Sequence, residues 1–230
     1  MSRRGVHLLL CLSVAGSLVD SRPVSAEKWL CDDVYLSTDA QSEYVADLVC
    51  EAAVRAKAFL QSCGLVQTSA INIEVVESAI HPGFGECMAL FDKRTGCLQV
   101  TDPGRLPLLL PENDARAALP PDILFASTIT HELAHALLHQ SAGAIAVGPT
   151  EQEFVANAME MAVLDPHWRD VLLGANPVKP GGSVGHINLG IYALAPRVFA
   201  NNAWQYFQRE EIGCALVQKI AAGEFRFPVQ

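Results

Sequence analysis

The sequence predicts an α+β fold: a small, mostly antiparallel sheet packed on one long helix, followed by a helical C-terminal part. Three observations predict it. Residues 71–77 (Ile-Asn-Ile-Glu-Val-Val-Glu) alternate apolar and polar with period two, as a strand with one solvated face does. Residues 123–142 run through an apolar helical pattern with no Gly or Pro. From residue 150 onward, apolar residues recur at helical spacing between Pro and Gly punctuation.

The elements follow in chain order. Residues 1–26 read as a signal peptide: basic Arg3-Arg4, an apolar stretch over 6–19, and Val24-Ser25-Ala26 as an A-x-A-like cleavage site, with the cut expected after Ala26. The apolar stretch is too short to span a bilayer stably, and no later one reaches that length. A periplasmic or secreted protein without a membrane span is expected, with residues 27–230 as a single domain. Residues 29–36 make a short strand or tether. Thr38-Asp39-Ala40-Gln41 reads as a capping box opening a helix, whose Val45, Leu48, Val49, Ala52, Ala56, Phe59 and Leu60 keep a 3.6 period up to Gly64.

Residues 81–85 form a loop. Residues 87–91 and 97–101 read as the arms of a hairpin turning at Gly96, and the Pro- and Leu-rich stretch 103–111 leads away from the sheet. Pro120-Pro121-Asp122 starts the long helix and Gly143 stops it. A second helix over 150–161 returns through the 143–149 loop. Asp165-Pro166 ends it and opens a short helix to Leu173. The Gly-rich stretch 176–185 leads to His186, and helices are expected over 188–199 and 203–222.

Charge and cysteines narrow the class. The formal net charge is −9, and removing residues 1–26 (Arg3, Arg4, Arg22 and Asp20, net +2) leaves −11. An acidic domain repels nucleic acid and anionic lipid, so neither is expected as a partner. Six cysteines remain: Cys31, Cys50, Cys63, Cys87, Cys97 and Cys214. In an oxidising compartment that even number predicts three disulfides among 15 possible pairings. Cys50 and Cys63 cannot pair if one helix carries both, because about 20 Å would separate them. No C-x-x-C spacing supports a cysteine zinc site.

The chemistry concentrates in His131-Glu132-Leu133-Ala134-His135, an H-E-x-x-H inside the long helix. Residues four apart lie one turn above each other, so the two imidazoles can meet at one ion while Glu132 stands beside an open coordination position. Ile129, Leu133 and Leu137 give the helix an apolar stripe to bury on its other side. A catalytic zinc needs a third protein ligand. Thr150-x-x-Glu153 reads either as a capping box or as the source of that ligand, with Glu151 as the alternative donor. His139 lies about 12 Å along the axis from His131 and belongs at the rim.

In this stretch the chain resembles the ImmA/IrrE-type gluzincin metallopeptidases, whose H-E-L-x-H helix is followed by E-x-x-A-N-x-F-A on the next. Glu153-Phe154-Val155-Ala156-Asn157-Ala158-Met159 matches that second motif, with Met159 in place of Phe and Glu160 in place of Ala. The resemblance spans roughly residues 123–162. It implies a zincin-like fold, zinc as cofactor, Glu153 as third ligand, and a cleft bordered by the last strand before the metal helix. Asn157, one turn beyond Glu153, is then placed to hold the distal nitrogen of a ligand histidine.

The expected function is an exported zinc-dependent endopeptidase acting on peptide or protein substrates, with Glu132 as general base. His186 and Tyr192, which follow the Gly-rich stretch, are candidates to stabilise the oxyanion. A free edge in the 87–101 hairpin is expected to bind substrate backbone. The alternative is a catalytically silent, zinc-stabilised binding or inhibitor module; a structural site would have no use for Glu132.

Overall fold

The structure is a computed structural model and describes residues 26–83, 85–209 and 211–228. The signal-peptide reading falls, except for Ala26, outside these residues. Strands β1 (Glu27–Leu30), β2 (Leu36–Ala40), β3 (Ile71–Val76), β6 (Ala89–Asp92) and β7 (Cys97–Thr101) make one sheet in the order β1-β2-β3-β7-β6. Between β3 and β6, β4 (Ala79–His81) and β5 (Gly85–Cys87) form a separate two-stranded ribbon. The expected alternation holds in β3, where Ile71, Ile73 and Val75 are buried. The 81–85 loop is the tip of the β4–β5 ribbon.

The sheet is mixed, not mostly antiparallel. β1–β2 and β6–β7 are antiparallel, whereas β2–β3 and β3–β7 are parallel. Helix α1 (Glu43–Ser62) causes the first reversal, because its 20 residues carry the chain back so that β3 starts beside the start of β2. The capping box expected at Thr38 is a strand instead. Thr38 is buried in β2 with its hydroxyl on the Ile73 carbonyl, and Ser42 caps α1 by accepting from the Val45 N–H. The 3.6 period of α1 and its stop at Gly64 (φ 85°) stand as read.

Among the described residues two disulfides form, not three. Cys31 joins Cys50 and Cys63 joins Cys214, while Cys87 and Cys97 are free thiols. Strand geometry keeps the last two apart. The Thr101 hydroxyl bonds the Cys87 carbonyl, so Cys87 sits at the far end of β7 from Cys97, four residues or about 13 Å away. A disulfide needs Cα atoms within about 7 Å.

The helices are α2 (Pro121–Ala142), α3 (Pro149–Val163), α4 (Pro166–Ala175), α5 (Leu189–Leu194), α6 (Pro196–Phe207) and α7 (Gly213–Ala221). Four of them begin on a proline, which fits the first helical position because no amide hydrogen bond is needed there. Pro196 also splits the helix expected over 188–199, and the one expected over 203–222 breaks between Phe207 and Gly213. α2 is central, packed between α1, α3 and the sheet, with Ile129, Leu133 and Leu137 fully buried. Each such side chain contributes about 1.5–3 kcal/mol. That anchorage fixes which side of α2 turns toward the cleft.

Candidate metal centre

His131 and His135 stand one turn apart on α2, and Glu153 reaches them from α3, which packs against α2. The two imidazole Nε2 atoms are 3.2 Å apart. The two Glu153 carboxylate oxygens divide between them, Oε2 lying 3.7 Å from the His131 nitrogen and Oε1 3.7 Å from that of His135. Two nitrogens bound at 2.0–2.1 Å to one tetrahedral ion would be about 3.3 Å apart, so the donors are already spaced for zinc. A hydrogen bond between the rings would account for the 3.2 Å by itself. It would not account for Glu153 Oε2, a buried carboxylate oxygen with no hydrogen-bond partner. Two imidazoles and a carboxylate are the borderline donor set that suits zinc.

Glu153 is not a cap. α3 starts at Pro149 with Gly148 as N-cap and no side-chain cap bond, which leaves the Glu153 carboxylate in the cleft. Glu151 is excluded as a ligand: it is buried on another side of α3 and accepts the Phe227 N–H at 2.6 Å. His139 is exposed at the cleft rim, its ring 5.9 Å from Phe91.

The group holding His131 is Glu160, not Asn157. Glu160 Oε2 takes His131 Nδ1 at 3.0 Å, and its Oε1 accepts from the Ser127 hydroxyl at 2.7 Å. Once Nε2 gives up its proton, this bond keeps the remaining one on Nδ1 and aims the Nε2 lone pair of His131 toward His135 and Glu153. Asn157 Nδ2 instead donates to the Glu153 carbonyl one turn back, along its own helix. The sequence held a partial signal for Glu160. It follows Glu153 by seven residues, two turns on the same face, and is a lone acid between Met159 and Met161.

The electrostatics divide the roles. Burial pulls the His131 imidazole down, but the hydrogen bond and charge of Glu160, with Glu132 and Glu153, outweigh it and raise it to about 9. Glu160 is correspondingly held well below its usual range against its own burial. His135 falls to about 3, through burial and then the charge on His131. Burial raises Glu132 to about 7; the His131 charge and the Phe91 N–H pull it back, while Glu153 and Glu160 push it up.

Glu132 faces a cavity of about 550 Å³ shared with His131, His135 and Glu153, the edge strand β6 and Tyr192. Tyr192, on α5, packs edge-on to Phe199 at 5.3 Å. Burial and the neighbouring Glu153 carboxylate push its hydroxyl far above its usual value, so it stays a proton donor. His186 is not brought to this cavity: it is exposed on a 3₁₀ turn at Val184–His186 and does not line the cleft.

β6 is the last strand of the sheet order, on the cleft side. The Thr101 N–H bonds the Met88 carbonyl, and alternation from there turns the backbone groups of Ala89 and Phe91 away from β7. The Phe91 N–H on that outer side meets the Glu132 carboxylate.

Fold and site together define an α+β protein in which two adjacent helices bring two histidines and a glutamate to one point of an open cleft. The chain belongs to a family of unknown function (DUF6639), whose model matches residues 36–230. No curated protein and no solved structure matches it.

Proposed function

We propose that the protein is an exported zinc-dependent peptidase of the gluzincin kind, hydrolysing peptide bonds in the cleft along β6. One observation carries the reading: His131, His135 and Glu153 lie at mutual distances suited to one ion, with Glu153 Oε2 otherwise unpartnered. A zinc ion held there would polarise the scissile carbonyl and make water acidic enough to serve as a nucleophile near neutral pH.

The chain's own residues supply the rest. Glu132, raised by burial to about 7, is poised to take a proton from the attacking water and pass it to the leaving nitrogen as the C–N bond breaks. The products are a carboxylate and an amine. Tyr192 donates its hydroxyl hydrogen to the carbonyl oxygen as negative charge develops there. Substrate backbone pairs with the outward groups of Ala89 and with the Phe91 carbonyl, the Phe91 N–H being taken by Glu132, so that an extended chain lies across the ligands with little side-chain preference. Export is supported by the two disulfides. Among the described residues, no helix is long and apolar enough to cross a membrane.

The alternative, a zinc-stabilised binding module, has less support. A closed structural site needs neither an acid beside its ligands nor a cavity of about 550 Å³ over them, and both are present. Glu132→Gln separates the readings. Zinc content and thermal stability should match wild type, while hydrolysis of a susceptible peptide should fall at least 10²-fold, or about 2.7 kcal/mol of barrier. Equal cleavage by both forms rules out Glu132 as the base. Full zinc with no cleavage of any peptide in a proteome-derived pool, by either form, favours the binding module.

A further inference from the structure

A smaller recess of about 180 Å³ adjoins the cleft, sharing Ala89, His131, Glu132 and Tyr192 with it. Its distinguishing residues are Arg116 and Arg197, whose side chains keep only 17% and 13% of their surface exposed. Nothing in the motif chemistry requires them. Arg116 is neutralised by Asp114, which takes its Nε at 3.1 Å and its Nη2 at 2.8 Å.

Arg197 has no equivalent. Its nearest carboxylate oxygen, Glu160 Oε1, is 4.0 Å from Nη1, too far for a hydrogen bond, and already accepts from Ser127. The Arg197 Nε is buried with no acceptor. Burial and then the neighbouring Arg116 press the guanidinium pKa down by more than Glu160, Asp114 and Tyr192 raise it, so the carboxylates nearby do not offset its removal from water. Arg197 also lies in the first turn of α6, where the helix end adds partial positive charge. In a chain of net charge −9, two guanidiniums thus stand beside the proposed site, and only Arg116 has a hydrogen-bonded carboxylate.

A planar monoanion fits this arrangement best. A guanidinium presents parallel N–H donors that match a carboxylate, and Glu132 and Glu160 in the same recess oppose a second negative charge. We propose that the Arg197 recess, seconded by Arg116, binds a carboxylate of the substrate. The peptides this site takes then carry either a free C-terminal carboxylate or an acidic side chain within a few atoms of the bond to be cut. This rests on the peptidase reading for its reaction, but the recess can be tested through binding alone.

The probe is a heptapeptide library in three versions: C-terminal amides without acidic residues, amides containing Asp or Glu, and free acids without acidic residues. Retention on immobilised zinc-loaded Glu132→Gln protein is read by mass spectrometry. At least one carboxylate-bearing version should be retained ten times or more over the neutral version. The preference should vanish when Arg197→Met is added and be only partly restored by Arg197→Lys, which keeps the charge without the fork. Zinc content and melting temperature of each variant show that the site is intact, and a variant that has lost zinc is replaced by Arg197→Gln. The version retained distinguishes a terminal carboxylate from a side-chain one. Equal retention of all three versions, no retention of any, or a preference untouched in the Arg197 variants overturns the proposal. Arg197-dependent retention by a protein that cleaves nothing would leave the recess standing and defeat only the peptidase reading.

Discussion

Replacing Glu160 by Gln tests the arrangement around His131 most sharply, because two opposed effects can be separated by pH. Gln keeps the size and can still accept from His131 Nδ1, while the Ser127 hydroxyl turns round to accept from the amide. What is lost is the charge. A carboxylate behind a ligand histidine typically strengthens metal binding 10–100-fold, about 1.4–2.7 kcal/mol. The same carboxylate raises the His131 imidazole to about 9 in the metal-free protein. Zinc must displace that proton, which at pH 7 costs about 2.7 kcal/mol for two pH units. His135, at about 3, is already neutral and adds no slope above pH 5.

The sign follows from these two numbers. Zinc affinity of the wild type should climb about tenfold per unit between pH 7 and 9 and level off above. In Glu160→Gln the proton competition ends at lower pH, so its curve should be flatter in that window. Near pH 7 the two proteins should bind zinc with similar strength; at pH 9.5 the wild type should be tighter by 10–100-fold. Competition against a chromophoric chelator from pH 6 to 10 measures both curves. Parallel curves, or equal affinity at pH 9.5, would refute the role given to Glu160.

Other outcomes follow from the same geometry. Single replacement of His131, His135 or Glu153 by Ala should remove most bound zinc by metal analysis. Glu151→Ala should keep zinc but lower the melting temperature, since it leaves the Phe227 N–H at the end of the chain without its acceptor; loss of zinc in Glu151→Ala with full occupancy in Glu153→Ala would exchange their roles. Tyr192→Phe should lower kcat 10²–10³-fold with KM and zinc content little changed, and a change below threefold would remove Tyr192 from the reaction. Unfolded, unreduced protein should titrate two thiols, Cys87 and Cys97; finding none would restore a third disulfide and contradict the β7 register.

Local patterns determined much of this molecule. The strand 71–76, helix α2 with its Gly143 stop, the hairpin at Gly96 and the pairing of His131 with His135 all follow from periodicity and punctuation, because each involves residues within a few turns of one another. The same locality explains the failures. Thr38 carries a capping-box pattern, but two neighbouring strands claim its backbone, and an i to i+3 motif contains nothing about partners 9 and 35 residues away. Counting cysteines gave three bridges, whereas the β7 register, a product of the whole sheet, holds Cys87 and Cys97 at opposite ends.

At the site the division is similar. The histidine pair was legible from H-E-x-x-H, whereas Glu153 was reached only through the family resemblance, and the packing of α3 on α2 brings all three together. The packing of α3 on α2 decided that Glu160, not Asn157, meets the imidazole, since both lie near the Glu153 face and only the crossing geometry selects between them. Arg116 and Arg197 were invisible for a stronger reason. They come from segments 81 residues apart and acquire meaning only when the fold buries both cations beside Glu132, where removal from water makes an unpaired charge a demand for a partner.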